Sequence, residues 1–324
     1  MGSIQKSARL TAFFGIYEWF KSLCIEIIPT MEWKRDWGLT SRVWLTMFLL
    51  FLVYIVFIAI LSMLGVPTLF LFIIAFGMAF IQYFFSDKLV LWTTGSRVIA
   101  EDEYPELHRM VEKLAAEAGI PKPKVAIMQS PVPNAFATGR SPKHAVVACT
   151  DSIMRLLNKD ELEAVLAHEL AHVKNRDILT MTIASFIAMI ASIIMQSFLW
   201  GALFNRRGGE GAGAWIIAGI VAAIVWFIAN ILMMALSRYR EFAADRGSAY
   251  ITKNPRALIS ALNKISGRMD VIPVEAKAKV EGANAFFIIP ALSGNAFLEL
   301  FSTHPQLKKR IANLEKVEAE LRGN

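Results

Sequence analysis

The sequence predicts an α+β protein that is held in a membrane by several apolar helices. The composition is the first observation, since 55% of the 324 residues are hydrophobic and only 19% are charged. Ordinary soluble domains carry fewer apolar and more charged residues, so this surplus indicates burial in lipid. The second observation is that the apolar residues concentrate in long uncharged stretches. The third is that the polar segments between and after these stretches combine helical and strand patterns.

Four stretches are long and apolar enough to cross a bilayer, whose hydrocarbon core is spanned by about 20 helical residues. Residues 43–64 and 68–85 form the first two spans and are separated only by a tight turn. Residues 178–200 and 214–236 form the third and fourth spans, which contain a few polar side chains. We therefore predict a multi-span α-helical membrane protein.

Basic residues indicate how the spans are oriented. The flanking residues on one side are Lys34, Arg35, Arg42, Lys88, Arg97, Lys174, Arg176, Arg238 and Arg240. The opposite loop carries only Arg206 and Arg207. Because Lys and Arg are enriched on the cytoplasmic side of spans, both termini and both polar segments are expected in the cytoplasm. This predicts a multi-pass protein of the cytoplasmic (inner) cell membrane.

The chain then divides into five parts. These are residues 1–42, an amphipathic or flexible N-terminal segment; 43–85, spans 1 and 2; 86–177, the first polar part; 178–236, spans 3 and 4; and 237–324, the second polar part. In the first polar part we expect a helix near residues 104–118, short strands at 125–128 and 145–149, and a longer helix that starts at Asp160. In the second we expect helices at Pro255 and Pro305.

Charge and cysteine content exclude two other classes of protein. The net charge is +7, but no long basic block interleaved with aromatic residues is present, so no nucleic acid is expected as a partner. A lipid bilayer explains a mild basic excess better. Cys24 and Cys149 lie far apart and outside any CxxC pattern, which argues against a disulfide framework and favours a reducing compartment.

The most informative run is His168-Glu169-Leu170-Ala171-His172. Residues four apart share one face of a helix, so both imidazoles can bind one metal ion. Glu169 follows the first ligand and can reach water held by that ion without binding the ion itself. The residues before this run are good helix formers. The pattern predicts a zinc-dependent peptidase with Glu169 as general base.

A catalytic zinc site needs a third protein ligand. The two imidazoles lie shortly before the third predicted span, and Glu241 lies shortly after the fourth. The hairpin formed by these two spans therefore brings the imidazoles and the Glu241 carboxylate together on one membrane face. Asp245 lies one helical turn after Glu241 and is suited to accept the free ring N–H of a ligand histidine. His108, expected on a solvated helix face, and His144, in a turn, remain weaker alternatives for the third ligand.

Two further sites are open to more than one interpretation. His304 precedes a predicted helix and is either a donor to the oxyanion of a tetrahedral intermediate or a helix cap. Asn134, Ala135 and Phe136 lie between the two predicted strands. They form either an edge that pairs with an extended substrate or a plain connecting turn.

Together these motifs resemble those of the HtpX-type membrane-bound zinc metalloproteases, gluzincins related to the CAAX prenyl endopeptidases. The resemblance rests on the HELAH run, the membrane hairpin, the segment from Ser237 to Asp245, the Asn134 segment and the run from Phe301 to Pro305 with Arg310. It implies a zincin-like (gluzincin) catalytic domain on the cytoplasmic face with one Zn²⁺ held by His168, His172 and Glu241. It also implies protein or peptide substrates, chiefly misfolded or damaged membrane proteins, in stress-related quality control.

Three other functions fit the sequence less well. A CAAX-type prenyl endopeptidase calls for more spans than four. A catalytically silent membrane scaffold has no need of Glu169 and a full ligand set. A zinc transporter needs His or Asp inside its spans, and these spans carry none. A zinc endopeptidase of the membrane is therefore the expected function.

Overall fold

The computed structural model describes residues 36–63, 68–204, 212–272 and 304–323. The predicted amphipathic N-terminal segment therefore lies almost entirely outside the described residues. In chain order the elements are α1 (Trp37–Met63), α2 (Thr68–Thr94), β1 (Arg97–Val98), α3 (Pro105–Ala118), β2 (Lys124–Met128), β3 (Ala135–Thr138), a 3-10 turn (Pro142–His144), β4 (Val146–Thr150), α4 (Asp151–Leu156), α5 (Lys159–Lys174), α6 (Asp177–Phe204), α7 (Ala212–Thr252), α8 (Pro255–Val271) and α9 (Leu307–Arg322).

Three helices of the described part are long and apolar enough to cross a membrane. The stretches concerned are Trp37–Met63, Asp177–Gln196 and Ile216–Thr252. They pack around a shared apolar core to which α6 and α7 contribute many small residues. These are Ala184, Ala188, Ala191, Ala218, Ala222 and Ala229. Small side chains at spacings of three, four and seven let helix backbones approach closely, which is the usual way of packing helices in lipid.

Helix α2 contains the second predicted span and stands at the edge of this bundle. Its apolar stretch among the described side chains is Phe76–Phe85, shorter than a full span. None of its described side chains belongs to the bundle core. Ile73 and Ile81 are instead about three-fifths exposed, at 62% and 60%. Such a surface suits contact with lipid. The described apolar stretch is shorter than a full span, so the bilayer crossing by residues 68–85 stays a prediction.

The fourth predicted span does not end where the polar part begins. Helix α7 runs without interruption over 41 residues, from Ala212 to Thr252. At 1.5 Å per residue this is about 60 Å, roughly twice the hydrocarbon thickness of a bilayer. No proline interrupts it, so the backbone ladder continues out of the bundle. The helix carries Glu241 and Asp245 into the polar domain on one rigid element.

The polar domain is built on a four-stranded sheet with the order β1-β2-β4-β3. Strands β2 and β4 are parallel, with Ala126 opposite Ala148, whereas β1 and β3 pair antiparallel at the two edges. Helices α3, α5 and α8 bury apolar faces in one core with β2 and β4. The predicted α+β class is confirmed. Strand β3 is an edge strand of this sheet, and it pairs with β4 on one side only.

The helix that carries the HELAH run begins earlier than predicted. Its N-cap is Asn158 rather than Asp160, and a capping box closes its first turn. The Asn158 side chain accepts a hydrogen bond from the Glu161 N–H at 2.9 Å, and the Glu161 carboxylate accepts one from the Asn158 N–H at 2.9 Å. Asp160 lies in the first turn instead, where its charge favours the helix dipole.

Two other local predictions also need correction. The last helix begins at Leu307, not at Pro305, and Gln306 is its N-cap. Its buried face contains Leu314, Val317 and, unexpectedly, the charged residue Arg310. His108 was expected on a solvated face of α3, yet only 6% of it is exposed, because α3 turns that face toward the polar-domain core.

We predict that Asn158→Ala destabilises the protein by about 1 kcal/mol, because it removes one half of the capping box. The measurement is the thermal unfolding midpoint of the detergent-solubilised protein. Lys159→Ala is the matched control, since Lys159 is the exposed first residue of the same helix. Equal midpoints for the two variants would contradict a stabilising cap.

Candidate metal centre and active site

Helix α5 presents His168 and His172 on one face. The imidazole of His168 is fully buried and that of His172 is 15% exposed. Their Nε2 atoms lie 3.2 Å apart, with the rings nearly perpendicular. Two ring nitrogens that face each other this closely repel unless they share a proton or a cation.

Glu241 of α7 completes a cluster of three ligand atoms that all lie within 4.8 Å of one another. Its Oε1 is 3.4 Å from Nε2 of His172, and its Oε2 is 3.6 Å from Nε2 of His168. Ligand atoms of a tetrahedral zinc site with bonds of about 2.0–2.1 Å lie about 3.4 Å apart. The buried Oε2 accepts no hydrogen bond from the described residues. The donor set therefore fits a metal ion with a fourth position open.

Each imidazole has a carboxylate on its opposite nitrogen. Asp245 Oδ1 lies 3.0 Å from Nδ1 of His168, and Asp177 Oδ2 lies 2.5 Å from Nδ1 of His172. A carboxylate in this position fixes the proton on Nδ1 and leaves Nε2 as the ligand atom. The sequence predicted Asp245 in this place, and it missed Asp177.

A break in the helix explains the position of Asp177. Arg176 has a positive φ of 52°, which is uncommon for a residue other than glycine and separates α5 from α6. Asp177 is the first residue of α6 and turns back beneath His172, five positions earlier. On an unbroken helix, residues five apart point in different directions, so helical periodicity alone could not have found this contact.

Two arginines hold these carboxylates. Arg310 of α9 donates from Nε to Asp245 Oδ2 at 2.9 Å and from Nη2 to Oδ1 at 2.6 Å. Arg240 lies with Nε 3.0 Å from Asp177 Oδ1. The sequence placed Arg240 among the basic flanks of the spans and Arg310 in the family resemblance, and it predicted neither contact with a carboxylate. The signal for Arg310 was its place on an otherwise apolar face of α9, because a buried guanidinium requires a carboxylate partner.

The charges around the imidazoles do not balance while both imidazoles are neutral. The carboxylates are Glu169, Asp177, Glu241 and Asp245, and the guanidiniums are those of Arg240 and Arg310. Four negative and two positive charges leave two negative charges among side chains that are largely buried. A divalent cation with two neutral imidazoles removes this imbalance, and without the metal the imidazoles must take up protons instead.

The pKa values of the imidazoles agree with this account. Burial opposes the charged form of His172, but the contacts with Asp177 and Glu241 together outweigh this effect and raise the pKa of His172 to about 10. Burial likewise opposes the charge on His168, and its contacts with Asp245 and Glu241 raise the pKa above the usual value. Protons and a metal ion therefore compete for the same nitrogens.

Glu169 lies between the imidazole pair and the edge strand. Its Oε2 accepts a hydrogen bond from the Ala137 N–H at 3.0 Å. Burial raises the pKa of this carboxyl above its ordinary range, and the nearby charge of Glu241 raises it further. A carboxylate with a raised pKa is better suited to accept a proton from water and to return it later.

The free edge of β3 borders the same carboxylate. The Thr150 N–H donates to the Asn134 carbonyl, so in this antiparallel pair the backbone groups of Ala135 and Ala137 point away from β4. The side chains of Asn134, Ala135 and Phe136 are all buried. Phe136 packs with Val90 of α2 in a small core. Only the backbone of this segment is open to an extended peptide.

His304 lies beside Glu241, with Nδ1 3.3 Å from Oε2. It lines the same cavity as His168 and Glu169. No described side chain forms a capping hydrogen bond at the start of α9, so the geometry does not support the alternative role of His304 as a helix cap.

His144, a weaker alternative for the third ligand, is exposed in its 3-10 turn and contacts Ser141. Among the described residues, only His168, His172 and Glu241 form a potential metal cluster.

This fold and this site define a membrane metallopeptidase. The chain belongs to peptidase family M48, whose family profile matches residues 101–318. It is 55% identical to the protease HtpX homolog 2 of Methanosarcina acetivorans over 291 residues, which cover 90% of this chain and 99% of that protein. It is 51% identical to the protease HtpX homolog of Moorella thermoacetica, over 88% and 96% of the two chains. The predicted HtpX-type resemblance is confirmed.

A solved structure shares the fold at lower sequence similarity. The crystal structure of S. mikatae Ste24p matches with a TM-score of 0.52 over 85% of this chain and 67% of that chain, at 18% identity. At this identity the likeness concerns the arrangement of the helices and the sheet only.

We predict that Asp177→Asn lowers zinc affinity by about 10- to 100-fold, because it removes the carboxylate that orients His172. Competition with a fluorescent chelator measures the affinity. Asp160→Asn is the matched control, because Asp160 is an exposed acidic residue of α5 that contacts no ligand. An affinity equal to that of the control would contradict the orienting role of Asp177.

We also predict that zinc binding releases protons. Below the pKa of about 10, His172 carries a proton in the metal-free site, so its affinity for zinc rises with pH. The expected slope between about pH 6 and pH 8 is up to about tenfold per unit for each proton displaced. Isothermal titration in buffers with different ionisation enthalpies counts the protons. A pH-independent affinity would show that the imidazoles are already neutral.

Proposed function

We propose that this protein is a zinc endopeptidase in which His168, His172 and Glu241 bind one Zn²⁺ and Glu169 is the general base. The observation that supports this most strongly is the spacing of the three ligand atoms, each 3.2–3.6 Å from its neighbours. A cluster at this spacing, with carboxylates behind both imidazoles, leaves one coordination position for a water or a carbonyl oxygen.

When bound, zinc polarises a carbonyl group and lowers the pKa of water. The protein's own residues then perform the proton transfers. Glu169 takes a proton from the attacking water and returns it to the leaving amine, and its raised pKa suits both steps. Asp245 and Asp177 keep the ring nitrogens in the tautomer that binds metal. Hydrolysis is therefore direct, without an acyl-enzyme.

The edge of β3 and His304 would position the peptide. The outward backbone groups of Ala135 and the Ala137 carbonyl can pair with an extended substrate, and the Ala137 N–H already orients Glu169. His304 lines the cavity next to Glu241 and is suited to donate to a developing oxyanion. Both roles follow from the position of these groups beside the ligand cluster.

We further propose that the site faces the cytoplasm from the cytoplasmic cell membrane and acts on misfolded or damaged membrane proteins. The bias of Lys and Arg toward one side of the spans supports the orientation. The position of the site where α6 and α7 leave the bundle supports substrates at the membrane surface. A silent scaffold would have no reason to bury this many carboxylates around facing imidazoles.

We predict that Glu169→Gln abolishes proteolysis, with a loss of about 100-fold or more, while zinc content and thermal stability are retained. Glutamine keeps the shape of the side chain and cannot accept the proton. The assay is chelator-sensitive cleavage of casein by the protein in lipid nanodiscs. Glu163→Gln is the matched control, since Glu163 lies on the same helix and, among the described residues, forms its ion pair with Lys113 near the surface. Cleavage by Glu169→Gln at the control's rate would exclude Glu169 as the base.

A prenylated substrate distinguishes the CAAX-type alternative. A protease of that kind would cleave a C-terminally prenylated peptide and leave the unmodified peptide intact. The proposed endopeptidase cleaves internal bonds and has no requirement for the prenyl group.

A further inference from the structure

A cavity of about 700 Å³ begins at the candidate metal centre and continues between α2 and α6. At one end it is lined by His168, Glu169, His172 and Glu241. The rest of its lining includes residues of α2 and α6 that the proposed chemistry does not use. These are Met78, Ile81, Gln82, Met181, Thr182 and Met189.

This part of the cavity extends along α2 and α6, away from the candidate ligands. Met78 lies twelve residues before Val90 on α2, and Met189 lies twelve residues after Asp177 on α6. Twelve residues of helix correspond to about 18 Å, more than half the hydrocarbon thickness of a bilayer. The cleft between α2 and α6 therefore extends from the ligand cluster into the part of the molecule that lipid surrounds.

The cleft is open on the side of α2. Helix α2 contributes none of its described side chains to the core formed by α1, α6 and α7. Ile81 is 60% exposed although it lines the cavity. A wall residue that is this exposed borders an opening, so the cavity can be reached sideways from the lipid as well as from the polar domain.

The wall is continuous from the edge strand to the membrane helix. After β3, the chain turns at Gly139, whose φ of 118° and close approach to the His144 carbonyl leave no space for a side chain. This turn carries Arg140 over the ring of Phe84 on α2, with 5.4 Å between the guanidinium carbon and the ring centroid. A peptide that lies along β3 beside Glu169 therefore has one end directed into the cleft.

The lining indicates the chemistry of the occupant. Three of the side chains that face the cleft are methionines, Met78, Met181 and Met189. Methionine is flexible and polarisable, so it adapts to apolar partners of different shape. Gln82 adds a side-chain amide that suits exposed peptide bonds, and the Thr182 hydroxyl, which donates to the Ile178 carbonyl at 2.8 Å, keeps its oxygen as an acceptor. Both properties fit an apolar polypeptide segment of variable sequence better than a lipid chain, which needs no hydrogen-bonding partner.

We propose that the cleft between α2 and α6 binds an apolar, membrane-embedded segment of the substrate polypeptide, and that the adjoining extended segment is cleaved at Glu169. This inference rests on the proposed function and assigns it a specificity site. The protein selects bonds that lie next to an apolar stretch, and the sequence at the bond itself matters less.

Three substrates with one cleavable linker test the proposal in nanodiscs. The first is a soluble quenched-fluorescent linker that the wild-type protein cleaves. The second is the same linker joined to one apolar transmembrane segment, and the third is the same linker on a dipalmitoyl anchor. The expected result is the highest kcat/KM for the second substrate. If the lipid anchor gives the same increase, confinement to the membrane is sufficient and the proposal is overturned.

A matched pair of isoleucines on α2 locates the effect. Ile81→Trp narrows the cleft, whereas Ile73→Trp places the same indole on a surface that is equally exposed, at 62%, and does not line the cavity. We expect Ile81→Trp to lower kcat/KM for the transmembrane substrate about tenfold or more and to change the other two by less than about twofold. Ile73→Trp should change none of them. An equal loss for all three substrates, or no loss, overturns the proposal.

Crosslinking keeps the test decisive if Ile81→Trp does not fold. A photoreactive benzoylphenylalanine replaces Ile81 or Ile73 in the Glu169→Gln protein, which holds the substrate without cleaving it. Capture of the transmembrane substrate from position 81 and not from position 73 supports the cleft. Capture of lipid alone, of a second copy or of the protein's own chain overturns it. Chelator-sensitive cleavage of the soluble linker by the wild-type protein shows separately whether the proposed peptidase activity holds.

Discussion

The structure depends on bringing two imidazoles and a carboxylate together at positions that are largely buried. Each of these groups is costly to bury alone, and unpaired buried charge costs several kcal/mol. His168 and His172 come from α5, and Glu241 comes from α7, separated in sequence by two membrane helices. The close packing of α6 on α7, through small residues in the bundle, holds these two parts of the polar domain in register.

The continuity of helix α7 also keeps Glu241 beside the imidazoles. One element belongs both to the bundle core, through Ala229 and Leu236, and to the metal centre, through Glu241 and Asp245. A flexible linker between span and ligand would allow the carboxylate to leave the imidazoles. A helix with no proline transmits the position of the bundle directly to the site. The packing of α6 on α7 therefore also holds the parts of the candidate metal centre in place.

The sequence predicted the elements that rest on local rules. The α+β class, the apolar helices and the face that carries His168 and His172 all follow from periodicity, which depends on neighbours in the chain. Asp177 was missed because a break in the helix at Arg176, which periodicity does not reveal, moves it beneath His172. Arg310 was missed because its partner, Asp245, is far away in sequence, although its apolar helix face indicated a buried charge. The N-cap at Asn158 was misplaced by two residues because Asp160 is also a good capping residue.

The residues that the sequence did not predict, Arg310, Arg240 and Asp177, contact the predicted ones through two series of ion pairs. Arg310 reaches Asp245, which reaches His168, and Arg240 reaches Asp177, which reaches His172. Each series of contacts ends at the Nδ1 atom of an imidazole, and the Nε2 atoms of the two imidazoles face each other at 3.2 Å. The arginines neutralise the outer carboxylates, and the charge that remains is that of Glu241 and Glu169 beside the imidazoles. A divalent cation would satisfy both imidazoles and this remaining charge at once, so the surroundings of the site fit a metal ion as well as the three candidate ligands do.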